Sequence, residues 1–157
     1  FKDRLTQLDF EPYSKKELSD ILCKQLDWMT FEDNILNEIC QTIRGNARSA
    51  IKRSLEINAW AEVNNKSRFG KPEWDNLCDL LGIMPYGINH TELQVMRILK
   101  DRGACTLQML SAVTGMSRTA IQKDAEVFLL QNGFMRIDGK REITGKGVKA
   151  LEKVELI

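Results

Sequence analysis

The chain has 157 residues, 43% of them hydrophobic, which is enough to bury a core as one domain or as two small ones. Its formal charge of +1 makes no global electrostatic case for nucleic acid. No charged-then-apolar leader and no apolar run of membrane-spanning length occurs, so the segment reads as neither secreted nor membrane-spanning.

The first half reads as a helical assembly. Ser14 and Glu17 have the spacing of a capping box ahead of Leu18, Ile21 and Leu22. Thr30 and Asp33 resemble a second helix start, with Ile35, Leu36, Ile39 and Ile43 as the apolar stripe. The break Arg44-Gly45-Asn46 leads into a third helix bearing Ile51, Leu55, Ala59 and Trp60 and ending near Ala61. Asn64 to Gly70 is a polar stretch. Pro72 then suits the first turn of a short fourth helix with Trp74, Leu77 and Leu80, closed by Gly82. A boundary is expected between Gly82 and Gly87, which divides the chain into a helical domain over 1–83, linker included, and a second domain over 84–157.

The second domain opens at Asn89, which with Glu92 starts a helix carrying Leu93, Met96 and Leu99. Thr106 is the next N-cap, ahead of Leu107, Leu110 and Val113, and Gly115 ends that helix. Ser117 caps a third helix whose inward stripe is Ile121, Ala125, Phe128 and Leu129, with Gly133 as a left-handed C-terminal cap and Asp124 at the edge of the core. Phe134 to Ile137 reads as a strand, Asp138-Gly139 as a two-residue primed turn, and Lys140 to Ile143 as the returning strand. Two short helices followed by such a hairpin define a winged helix, so the whole is a mainly α protein. Residues 84–157 hold 11 Lys+Arg against 8 Asp+Glu, so the basic excess belongs to this half.

A DNA-recognition helix needs long polar or basic side chains on its outer face, where they reach phosphates or base edges. Arg118, Gln122 and Lys123 meet that requirement, and Arg136, Lys140 and Arg141 place cations on the wing. The bland alternative is an ordinary solvated face on a module that packs against protein. Trp60 and Trp74 fall on apolar stripes and read as core anchors rather than base-stacking platforms. The cysteines Cys23, Cys40, Cys78 and Cys105 form no C-x-x-C pair, and the single His90 cannot complete a metal cluster. Free thiols in a reducing cytosol are therefore expected, with no metal site.

Several strings resemble the RuvB family of Holliday-junction branch-migration motors. Ile43-Arg44-Gly45-Asn46-Ala47-Arg48 is similar to the family's R-G-T-P-R string, and Leu129-Leu130-Gln131-Asn132-Gly133-Phe134 to its L-I-Q-x-G-F string. Asp3-Arg4-Leu5, Tyr13, Glu17-Leu18 and Gly139-Lys140-Arg141 with Thr144 add to the likeness. Departures are Asn46-Ala47 for Thr-Pro, Val127 for a usual Pro, and a turn reduced to Gly103-Ala104-Cys105, which point to a divergent member.

The resemblance implies that residues 1 to about 68 are the helical lid of an AAA+ ATPase and 84–157 its DNA-binding winged helix. It also implies an upstream core binding ATP and Mg, a homo-oligomeric ring, and duplex or four-way-junction DNA as partner in recombination and repair. By the same resemblance Arg48 is a sensor-2 arginine that reaches the γ-phosphate, with Arg44 as a weaker nucleotide-binding candidate. The chain has no G-x-x-x-x-G-K-[ST] loop and begins at Phe1 rather than Met, so it is expected to be a piece of a longer cytoplasmic enzyme, inactive alone. The rival readings are a winged-helix transcription regulator and a structural adaptor.

Overall fold

In the computed structural model residues 11–32 and 34–156 are described. The Asp3-Arg4-Leu5 string and Asp33 lie outside them. The chain separates into two compact units, Phe1–Gly82 and Ile83–Ile157.

In unit 1 the first helix, α1 (Lys15–Gln25), starts on the expected capping box. Ser14 Oγ accepts from the Glu17 N–H at 3.3 Å, and Glu17 Oε2 accepts from the Ser14 N–H at 2.8 Å. Leu18 and Leu22 of α1 enter the core. Thr30 does not begin a helix. It belongs to a two-residue strand, β1 (Thr30–Phe31), which pairs in parallel with β2 (Arg68–Phe69). Backbone groups that a local reading assigns to a cap go to a distant partner instead: the Thr30 N–H donates to Ser67 at 2.9 Å and Glu32 N–H to Phe69 at 3.0 Å. Helix α2 (Ile35–Thr42) starts after Asn34, held at φ 65° with no side-chain cap bond.

Helix α3 (Ala47–Asn64) extends three residues past Ala61, and its buried face differs from the expected one. Ile51, Leu55 and Ala59 are exposed, Leu55 to 62%, whereas Ala50, Ser54, Ile57 and Ala61 are buried. Both sets have helical spacing, and the buried one, three small residues around Ile57, belongs to the helix that packs with α1. Ser54 meets its hydroxyl's needs within the helix by donating to the Ile51 carbonyl at 2.7 Å. The polar stretch after α3 hides an anchor: Phe69 is fully buried, edge-on to Trp60 with ring centroids 5.7 Å apart. Helix α4 (Lys71–Leu81) has Pro72 in its first turn and buries Trp74 and Leu77, but Leu80 is 71% exposed.

Unit 2 begins with a 3-10 turn (Pro85–Gly87) and then α5 (His90–Arg102), opened by the Asn89–Glu92 capping box with both bonds at 2.8 Å. Helix α6 (Leu107–Thr114) is capped by Thr106 and ended by Gly115 at φ 73°. Its Leu110 is buried, while Val113, expected inside, is exposed. The segments Arg118–Ile121, Gln122–Glu126 and Val127–Gln131 then continue as one helix, α7, whose middle segment is a π-helix. Strands β3 (Met135–Asp138) and β4 (Lys140–Ile143) form the wing, and α8 (Gly145–Glu155) packs back on α5. Residues of α5 through α8 share one apolar core that includes Leu99, Leu110, Ile121, Leu129, Phe134 and Leu151.

The wing's register pairs Asp138 with Lys140, which centres the tip on Gly139. Gly139 alone takes positive φ there, at 65°, so the tip is not the two-residue primed turn expected from Asp-Gly, since either primed type needs positive φ at the first central residue, Asp138. A single backbone bridge between Cys105 and Arg141 ties the segment before α6 to the wing, which the hairpin pattern did not reveal.

Two glycines of α8 should respond oppositely to alanine. A Cβ on Gly147 would collide with the Phe134 carbonyl, whereas one on Gly145 meets nothing within 4 Å. Gly147→Ala should cost about 1–3 kcal/mol by overpacking, because the collision outweighs the helix-propensity gain of up to about 1 kcal/mol that Gly145→Ala keeps. Urea denaturation of the two variants should give shifts of opposite sign.

Candidate nucleic-acid interface

The helix-turn-helix is built from a local chain of bonds. The Gly115 N–H donates to the Ser111 carbonyl at 3.0 Å, and Ser111 Oγ donates to the Met116 carbonyl at 2.6 Å, which fixes the turn between α6 and α7. Ser117 Oγ accepts from the Ala120 N–H at 3.2 Å and sets the start of α7, so Arg118 occupies its first position. Arg118, Gln122 and Lys123 are all exposed. Neither Arg118 nor Lys123 has an ion pair among the described residues.

The π-turn decides what the far side of α7 presents. Asp124, expected at the core edge, points to solvent, and the buried positions are Ala125 and Glu126. A π-turn closes i→i+5 rather than i→i+4 bonds, and both buried residues lie within it. Glu126 is 4% exposed and was missed in the sequence because no local spacing marks a charged residue as interior.

The wing has two faces, and they divide its cations. Strand alternation and register put Arg136, Asp138, Lys140 and Glu142 on one face and Met135, Ile137, Arg141 and Ile143 on the other. Met135 is buried, so the second face is the inner one. On the outer face Lys140 is exposed, and Arg136 bonds Glu142 through Nε at 2.9 Å and Nη2 at 2.7 Å. That bond lifts Arg136 above its ordinary pKa. The side chains are 69% and 33% exposed, so solvent screens the pair and it can open to another anion. On the inner face Arg141 Nε donates to Glu126 Oε1 at 2.7 Å and Nη2 to Oε2 at 3.4 Å, with side chains only 14% and 6% exposed. The structure thus separates Arg141 from the open cations with which the sequence grouped it.

In unit 1, Arg48 is exposed in the first turn of α3. Asn46 Oδ1 accepts from the Ser49 N–H at 2.7 Å, so the residue that departs from the R-G-T-P-R pattern still caps this helix. Arg44 is also exposed, just before the left-handed Gly45 at φ 66°. Arg53, which the sequence did not single out, turns inward: its Cζ lies 5.6 Å from the centre of the Trp74 ring and burial lowers its pKa. No group of His, Cys, Asp and Glu among the described residues could hold a metal ion, and no described helix is long and apolar enough to cross a membrane.

These features define a winged helix domain preceded in the chain by a compact helical unit. Residues 85–152 match the family model described as the RuvB C-terminal winged helix domain. It is 31% identical over 124 residues to the Holliday junction branch migration complex subunit RuvB of Campylobacter hominis, covering 76% of this chain and 36% of that one. That length exceeds unit 2, so the sequence likeness reaches into unit 1. The fold matches the Thermotoga maritima RuvB Holliday junction branch migration motor with a TM-score of 0.74 at 24% identity, over 92% of this chain and 51% of that one. A single-residue variant of the same motor matches with a TM-score of 0.75. The chain thus spans about a third of the curated relative and half of the solved ones.

The thiols should react in an order set by burial. Desolvation raises Cys40 and Cys78 to about 11, which leaves little thiolate at pH 8, while Cys23 is exposed. Iodoacetamide labelling followed by mass spectrometry should modify Cys23 first, and Cys40 and Cys78 only after urea unfolds the chain.

Proposed function

We propose that this chain is the C-terminal part of an ATP-dependent DNA motor of the RuvB type, acting on duplex or four-way-junction DNA in branch migration. The observation that carries this reading is a RuvB-like helical unit and a RuvB-like winged helix in one chain and in the same order. A transcription regulator with an unrelated N-terminal half has no such support.

Unit 2 would grip the duplex backbone largely without regard to sequence. Arg118, Lys123, Arg136 and Lys140 supply cations that are open or weakly held, and Gln122 offers an amide beside them. Unit 1 would serve as the lid of an ATPase whose nucleotide-binding core precedes it. Exposed Arg48, without an ion pair among the described residues, suits a phosphate because guanidinium stays charged and presents a planar fork of donors. Arg44, two residues before the Asn46 cap, is the second candidate at that end of the lid. ATP with Mg would supply the energy for movement, held mainly by the core. The parent is proposed to work as a cytoplasmic homo-oligomeric ring.

Binding of this chain to random duplex and four-way-junction DNA, titrated by anisotropy at two salt concentrations, tests the reading. Lys123→Gln and Lys140→Gln should each lower the log–log salt slope by about one, uniformly across sequences. A strong preference for one duplex sequence, or no binding at low salt, would overturn it. In the ATPase-bearing parent, Arg48→Ala should abolish DNA-stimulated ATP hydrolysis while leaving duplex binding by the winged helix intact.

A further inference from the structure

We propose that Arg141 is a positioning residue: closed on Glu126, it locks the wing to the recognition helix, and the duplex grip depends on this lock although Arg141 touches no phosphate. The proposal rests on the reading of unit 2 as a duplex-binding winged helix. It departs from the sequence-based expectation that every wing cation meets the DNA backbone.

Three observations point the same way. Arg141 lies on the inner face of the wing, with Met135, Ile137 and Ile143, and strand alternation then turns Lys140 outward. Its guanidinium meets both oxygens of Glu126, the carboxylate carried inward by the π-turn of α7. Its backbone is held as well, for the Cys105 N–H donates to the Arg141 carbonyl at 2.9 Å and the Arg141 N–H to the Cys105 carbonyl at 2.8 Å. One residue therefore ties β4 to α7 and to the segment entering α6.

The energetics forbid a double role. Turning toward a phosphate would leave the Glu126 carboxylate buried and unpaired, and removing one partner of a buried pair is far costlier than opening an exposed one. The carboxylate would also repel the incoming phosphate. Arg136 has no such constraint, since its pair with Glu142 is open to solvent.

The experiment is duplex binding by the 157-residue chain across a salt series, comparing Arg141→Gln, Glu126→Gln, the exchange E126R/R141E, and Lys140→Gln as the phosphate-contact reference. Lys140→Gln should lower the salt slope by about one, whereas Arg141→Gln and Glu126→Gln should each weaken binding about tenfold with the slope unchanged. The exchange should recover most of the affinity, because the pair reforms even though residue 141 now carries a carboxylate. A slope reduced by about one in Arg141→Gln, tighter binding in Glu126→Gln, or a folded exchange variant that fails to bind would each overturn the proposal. Should the exchange variant not fold, as judged by its circular dichroism melt, Glu126→Gln still decides. If the unsubstituted chain binds no duplex, the DNA reading fails, and the lock is judged by hydrogen exchange of the β4 amides. Faster exchange in Glu126→Gln supports the lock; an unchanged rate overturns it.

Discussion

The winged helix depends on the reversal at Gly133-Phe134, where one residue is held by its ring, its N–H and its carbonyl together. The Phe134 N–H closes onto the Leu129 carbonyl at 2.8 Å, and Gly133 takes φ 67°, so α7 ends in a left-handed cap that turns the chain into the wing. The Phe134 carbonyl accepts from the Thr144 N–H at 3.0 Å and receives the backbone of Gly147 so closely that no Cβ fits there. Its buried ring sits edge-on to Tyr86 and Phe128 with the Lys146 ammonium 5.4 Å from its centre. Displacing this residue would disturb the recognition helix, both wing strands and the final helix at once.

From that reversal the rest of the candidate interface follows by geometry. Once β3 leaves Phe134 with Met135 inward, alternation sends Arg136 and Lys140 outward and Arg141 inward. The π-turn in α7 provides the inward carboxylate that Arg141 meets. Outward cations pair weakly or stay open, while the inward cation is committed. The same residue type thus acquires two physical roles within one short hairpin, according to which side of the pleat it occupies.

In unit 1 the decisive choice is which face of α3 goes inside. Ile57 goes inside with the small residues Ala50, Ser54 and Ala61 on the helix that packs with α1, and Ile51 and Leu55 stay outside. Asn46 sets the N-terminal end of the helix, and Arg48, at helical spacing from Ile51 and Leu55, lies on the same exposed face. The short β1–β2 pairing joins the segment between α1 and α2 to the one between α3 and α4, where Phe69 packs edge-on to Trp60.

What could be read from the chain alone was whatever depends on neighbours a few residues apart. The capping boxes at Ser14 and Asn89, the caps at Thr106 and Ser117, the glycine stops and the order of helices and hairpin are local chemistry, and they suffice for a winged helix behind a helical unit. The family strings were legible for the same reason: Gly45-Asn46 and Gly133-Phe134 are turn and cap residues whose backbone demands are written in place. Tertiary structure decided the α3 face, the parallel strand at Thr30, the solvent position of Val113 and the burial of Glu126. Three of these rest on partners distant in sequence: α1 against α3, Ser67 against Thr30, and Arg141 against Glu126. A charged side chain carries no local mark of whether it will meet water or a buried counter-charge. Only the fold that brings β4 to α7 could tell Arg141 from Lys140.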